Sequence, residues 1–170
     1  MGNSSNMKQI KRLILVILLV ILYLNIDFKL QETSNPLEEK IDIVEQKDIR
    51  ADKIDNYFKE RNMPLYGYGK KMVEVADKNG IDWRLLPAIS IRESSGGKHM
   101  CDNNPFGWGS CKITFNSIDE AIQTVGYKLN NLPVYKGKST EQKLYYYNGT
   151  VIESYPSEVI EIMNKISKTE

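Results

Sequence analysis

One segment decides how much of this chain is free to fold. "MKQIKRLILVILLVILYLNIDF" places Lys8, Lys11 and Arg12 ahead of an unbroken apolar run from Leu13 to Leu24. A basic n-region before an apolar h-region is the layout of a secretory signal. The run is followed by "NIDFKLQET", without the small-residue pattern of a cleavage site. An uncleaved anchor needs about 17–25 apolar residues, and Asn25, Ile26 and Phe28 extend this one in a thin or locally deformed membrane. The expectation is an N-terminal anchor helix over residues 10–28, with a cleaved signal as the alternative. The basic flank puts the N-terminus in the cytoplasm and everything after the run outside.

Export bears on Cys101 and Cys111, because disulfides persist only in oxidising compartments. The two cysteines flank "DNNPFGWGS" and read as one intra-loop disulfide, with a pair of free buried thiols as the alternative. Two cysteines and a single histidine at this spacing form no recognised zinc pattern, so neither metal nor cofactor is expected. A formal net charge of +1 over 170 residues gives no electrostatic case for nucleic acid.

Three regions follow: residues 1–28 as signal or anchor, 29–48 as stalk and 49–170 as folded domain. The stalk, "KLQETSNPLEEKIDIVEQKD", is polar and contains Pro36; its "IDIVE" alternates briefly, as a short strand would. About 120 residues remain, enough for one domain with its own core. Helical spacing starts at "IRADKIDNYFKER", with Ile54, Tyr57 and Phe58 on one face. Pro64 and two glycines break it in "NMPLYGYG". "KKMVEVADKNG" is the second helix, with Gly80 as its C-cap. Asp82 stands at an N-cap position before "WRLLPAISIRES". Pro87 bends that helix or marks its first turn, and Gly96 and Gly97 end it. The Gly- and Asn-rich stretch from Cys101 to Phe115 forms no regular helix; "GWGSCKITF" suits a small hairpin. "SIDEAIQTVGYKLNN" opens on a capping box of Ser117 and Glu120. "STEQKLYYY" is a short helix stopped by "NGT", and "SEVIEIMNKI", capped by Ser157, is the last. The fold class is mainly α, with a short hairpin or irregular lobe.

Glu93 is the residue best suited to chemistry. It follows Leu85, Leu86, Ala88, Ile89 and Ile91, and a carboxyl at the end of a mostly buried helix loses hydration, which favours its acid form. A protonated carboxyl near neutral pH is what a general acid needs. By spacing alone, a lone Glu at a helix end reads more often as a solvated charge. Trp108, between glycines, is placed to stack on a ligand or to cover the core, whereas Trp83 reads as packing. Tyr145, Tyr146 and Tyr147 point in different directions on a helix, so at least one belongs in the core and one is free to face a cleft. Asn103 and Asn104 carry donors and acceptors suited to N-acetyl and hydroxyl groups, or they hold the turn through their own backbone. Ser94 and Ser95 lack the His and Asp of a nucleophilic triad; they line a site or cap the helix. His99 reads as a loop residue.

"GIDWRLLPAISIRESSGGKH", "NNPFGWG" and "FNSIDEAIQTVGYKL" together resemble the lysozyme-like superfamily. They are most similar to glucosaminidase-type domains, also called mannosyl-glycoprotein endo-β-N-acetylglucosaminidase-like domains, and they also resemble soluble lytic transglycosylases. The resemblance covers about residues 50–168 and implies a small lysozyme-like helical domain. It implies that Glu93 is the catalytic acid, because those families carry theirs at a helix end in an "AI…ES" motif, matched by Glu93-Ser94. It implies substrate contacts from Ser94, from the turn Asn103-Asn104-Pro105-Phe106-Gly107 with Trp108, and from Tyr147 and Asn148, since "YYYNGT" is similar to the transglycosylase "AYN-x-G". The implied activity is cleavage of the β-1,4 bond between GlcNAc and MurNAc in peptidoglycan, in a bacterial cell envelope. A lytic transglycosylase or muramidase, or a non-catalytic glycan-binding or scaffold domain, are the alternatives.

The chain departs from the family pattern in several places. The segment from Glu93 to the Asn-Asn turn is short, the cysteine pair is extra, and "FGWGSC" stands where transglycosylases have "G-L-M-Q". Standard glycosidase mechanisms use two acids, and the only one between Glu93 and Asp119 is Asp102, an auxiliary acid or a turn cap.

Overall fold

The computed structural model describes residues 48–170, together with Leu19 and Ile21. From Ile49 onward there are six helices: α1 (Ile49–Glu60), α2 (Gly69–Asn79), α3 (Leu85–Ser94), α4 (Ile118–Asn131), α5 (Thr140–Tyr147) and α6 (Tyr155–Ser167). The domain is mainly helical, as expected. Among the described residues no helix is long and apolar enough to cross a membrane. The anchor expected over residues 10–28 (save Leu19 and Ile21), the stalk up to residue 47 and its short strand lie outside the described residues.

The centre is α3. Its Leu85, Leu86, Pro87, Ala88, Ile89 and Ser90 are all buried, so the helix is apolar on nearly every side, the pattern of a helix surrounded by others. It packs on α6 and α2, while α1 and α4 flank α2 and α5 lies on α6. The expected apolar face of α1 is borne out: Ile54, Tyr57 and Phe58 are buried. α4 can approach α2 closely because position 126 is glycine; a Cβ there would overlap Val75 Cγ1. The burial of about 25 cal/mol per Å² of apolar surface that this arrangement provides is the main force holding the helices together.

The punctuation follows the sequence in most places. Gly80 is the left-handed C-cap of α2, at φ 61°, and Pro87 falls in the first turn of α3. Ser117 caps α4 by accepting from the Glu120 N–H at 3.1 Å. Several local expectations are corrected. Asp82 does not cap α3, which starts three residues later; its carboxylate accepts from the Arg84 N–H at 2.9 Å and ion-pairs with the Arg84 side chain at 2.6 Å. The short turn needs the acid before the helix does. Ser95, at φ 55°, is the left-handed residue that ends α3, one place before the glycines. Glu120 reaches past Ser117 to the Asn116 N–H at 2.7 Å. α6 starts at Tyr155 with Pro156 in its first turn, so Ser157 is already helical and its hydroxyl donates to the Ser154 carbonyl. A full capping box appears where none was expected, between Ser139 and Gln142 at the start of α5.

The hairpin does not form. Gly107, Gly109, Ser110 and Cys111 all have φ between 55° and 65°, and a run so rich in left-handed residues cannot stay extended. What remains of the expected lobe is its irregular alternative, with a single isolated bridge between Cys101 and Asn104.

Candidate functional site

The open end of α3 faces a cleft of about 730 Å³. Its walls come from three places: Arg92 and Glu93 at the end of α3; Gly107, Trp108, Gly109 and Ser110 from the irregular lobe; and Tyr135, Tyr147, the 148–152 turn and Tyr155 from the chain after α4. Among the described residues Glu93 is the only acid lining it.

Glu93 reaches the cleft from the last turn of α3, beside Tyr155 at the start of α6. The expected loss of hydration is not found: Glu93 is an exposed residue. Its carboxylate is nevertheless held. Tyr155, only 2% exposed, donates its O–H to Glu93 Oε1 at 2.6 Å. Gly107 sits against the other oxygen, where a Cβ would come within 2.9 Å of Oε2. Burial pushes the Tyr155 phenol well above its ordinary range, and the bond to Glu93 adds to the shift. The phenol therefore stays protonated, and the donor is permanent at any working pH. One turn along α6, Glu158 ion-pairs with Arg92 at 2.6 Å and accepts from the Ser154 hydroxyl at 2.6 Å. Those two bonds, Ser154 first, hold the Glu158 carboxyl below its usual range. Neighbouring residues of α3 are thus tied to Tyr155 and Glu158, which share one face of α6.

An aromatic wall extends from this pair. Tyr147 lies parallel to Tyr155, with ring centroids 6.2 Å apart. Trp108 meets Tyr147 edge-on at 5.6 Å and Tyr135 at 6.4 Å, distances at which aromatic pairs attract. The Tyr147 hydroxyl donates to the Phe106 carbonyl at 2.7 Å, joining α5 to the lobe. Burial raises the pKa of Tyr147, with the nearby Tyr155, Glu93 and Tyr135 adding to it. Of the tyrosine triplet, Tyr145 and Tyr146 are exposed and Tyr147 faces the cleft with its edge on the core; none is fully buried.

The other residues singled out from sequence fall into two groups. Glu93, Trp108, Tyr147 and Asn148 line the cleft; Ser94, Asn103, Asn104, Phe106 and Asp102 do not. Asn104, 1% exposed, accepts from the Trp108 N–H at 3.0 Å and donates to the carbonyls of Trp108 and Ile113. Asn103 donates to the Phe115 carbonyl at 3.0 Å. Ser94 donates to the Ser90 and Pro105 carbonyls and accepts from the Gly97 N–H. Phe106 is fully buried. These side chains brace the lobe, and their polar atoms bond to backbone. Asp102 is exposed and left-handed at φ 48°. Asn148 accepts from the N–H groups of Val151 and Ile152, and so shapes the turn that forms the opposite lip. Cys101 and Cys111 are disulfide-bonded, with Cα atoms 5.9 Å apart. Trp83 packs against the core, and His99 is exposed outside the cleft.

Arg92, Tyr135 and Tyr155 were not anticipated as site residues. Tyr155 carried no local signal, since it opens a helix 62 residues after Glu93 and meets it only because α6 crosses α3. Among the described residues no group of His, Cys, Asp and Glu could hold a metal ion. The cleft offers one carboxylate held from one side, a wall of aromatic rings and a cation, which together suit an uncharged or weakly charged ring-shaped ligand and a single proton transfer. No protein-family model, curated protein or solved structure matches this chain.

Proposed function

We propose that this domain cleaves the glycan strand of peptidoglycan at a β-1,4 bond between GlcNAc and MurNAc, as a glucosaminidase-type enzyme with Glu93 as its general acid. The observation that supports this most is a lone cleft carboxylate, anchored by Tyr155 and flanked by Trp108 and Tyr147. Aromatic faces at a cleft wall give a pyranose ring apolar contact. With Oε1 accepting from Tyr155, the transferable proton resides on Oε2. That proton passes to the glycosidic oxygen as its bond to the anomeric carbon breaks, and the leaving sugar departs as an alcohol. The substrate's own acetamido oxygen closes on the oxocarbenium-like centre, and a water then opens that ring at the anomeric carbon, giving its proton to the now deprotonated Glu93; alternatively a water adds directly on the far face and releases its proton to solvent. This suits a cleft without the second acid of the standard glycosidase mechanisms.

The same single acid favours a second reading, a lytic transglycosylase. There the deprotonated Glu93 takes the proton of the substrate's 6-hydroxyl, which closes on the anomeric carbon. A non-catalytic glycan-binding domain in the cell envelope is the remaining reading. Digestion of purified sacculi by the wild type and Glu93→Gln separates them. Glu93→Gln is expected to lower fragment release by about 10²–10⁴-fold, the usual worth of a general acid. Equal release by both proteins would remove Glu93 from the mechanism, and binding without release would leave only the glycan-binding role. Fragment mass spectrometry then assigns the class: reducing GlcNAc ends for a glucosaminidase, reducing MurNAc ends for a muramidase, 1,6-anhydro-MurNAc ends for a transglycosylase.

A further inference from the structure

Lys143 is a buried cation with no acid beside it among the described residues. It lies on α5 and is 5% exposed. Its ammonium donates to Asn130 Oδ1 at 3.1 Å, to the Tyr135 carbonyl at 2.9 Å and to the Lys138 carbonyl at 2.9 Å. An ammonium has three N–H donors, so each is matched. No carboxylate contributes: burial and the neighbouring Lys138 both depress its pKa, and no acid offsets them. A charge kept out of water without a counter-ion is costly, so the oxygens around it must be firmly placed.

Those oxygens belong to one stretch of chain. Asn130 is in the last turn of α4, and Tyr135 and Lys138 lie in the connection that follows it. That connection turns tightly, with the N–H groups of Tyr135 and Lys136 both donating to the Leu132 carbonyl. It contains no regular element of its own, yet it carries Tyr135, whose ring lines the cleft and meets Trp108. The turn's own backbone bonds fix its shape but not its seat on the domain.

We propose that Lys143 is a positioning residue for the cleft: its ammonium seats the 132–138 connection on α5, and thereby sets Tyr135 and, through it, Trp108 at the cleft wall. The placement of the rings stands apart from what the cleft takes; only the consequence for turnover rests on the glycan-cleaving reading.

The test uses the full chain with Trp83→Phe, which leaves Trp108 as the sole tryptophan of the two in the sequence. Emission, acrylamide quenching and thermal midpoint are compared for Lys143, Lys143→Met and Lys143→Arg. In Lys143→Met the Trp108 emission is expected to move to the red and its quenching constant to rise about two-fold, as the ring loses its contact with Tyr135. Lys143→Arg, which keeps the charge and donors, is expected to restore most of the native signal. A Lys143→Met protein that melts earlier but keeps native Trp108 emission and quenching overturns the proposal, because the lysine then only stabilises. Should Lys143→Met fail to fold, Asn130→Ala decides: it removes one acceptor and keeps the cation, and an unchanged Trp108 spectrum overturns the proposal while a red shift supports it. Sacculus digestion by the same proteins reads the consequence separately. If the wild type releases nothing, the glycan-cleaving reading fails while the fluorescence result stands.

Discussion

The Tyr155 hydroxyl and the Glu93 carboxylate lie 2.6 Å apart with 62 residues between them in the chain. A carboxylate that accepts from a protonated phenol on one oxygen is oriented without being neutralised, so its second oxygen stays free for proton transfer. Tyr155→Phe removes this donor and keeps the ring stacked on Tyr147. The expected outcome is a loss of about 10-fold or more in sacculus digestion, smaller than that of Glu93→Gln, with a fall in urea-measured stability of only about 1 kcal/mol. A stability loss with unchanged turnover would make Tyr155 a packing residue alone. Glu93 stood out in the sequence as a single acid closing an apolar helix, but only the family resemblance gave it a catalytic reading, and the loss of hydration expected of it is not found. Ser94, Asn103 and Asn104 were harder to assign, since a short polar side chain looks alike in sequence whether it binds a ligand or its own backbone. The direction of its donors decides, and here they point to carbonyls of the lobe.

At the scale of elements, the helices announce themselves and the lobe between α3 and α4 does not. The lobe has no ladder of backbone bonds, so it depends on the Cys101–Cys111 disulfide, the Asn104 side chain and the Tyr147 hydroxyl. Asn104→Ala would leave the Trp108 N–H and the Trp108 and Ile113 carbonyls without their partner. Trp108 is half-buried and Ile113 exposed, so water reaches part of this set; a loss of about 1–3 kcal/mol is expected by urea denaturation, with far-UV circular dichroism preserved because the helices are untouched. A loss below about 1 kcal/mol would mean that water replaces the amide. The expected hairpin failed for a reason that residue type only half reveals: glycine favours left-handed backbone, but Ser110 and Cys111 adopt it too, at φ 55° and 60°. The misplaced starts of α3 and α6 have a similar origin. Asp82 and Ser157 are good capping residues, yet a turn before α3 and Pro156 in the first turn of α6 moved the true boundaries.

For the molecule as a whole, the described residues 48–170 form a compact unit with its own core. A polypeptide that starts at Lys47 is expected to fold alone and to melt in one cooperative transition, seen at the same temperature by circular dichroism and tyrosine fluorescence. Separate transitions would show that the lobe and the helices unfold independently. The sequence by itself determined the helical class, most helix ends and the apolar faces, because these depend on residues within a turn or two of one another; by spacing alone it left Glu93 an ambiguous acid at a helix end, made a candidate only by the family resemblance. Only the tertiary structure decided which residues share the cleft. Arg92, Glu93, Trp108, Tyr135, Tyr147 and Tyr155 meet there because α6 crosses α3, α5 is bonded to the lobe, and Lys143 holds the connection after α4. Those contacts join positions tens of residues apart, and local periodicity carries no information about them.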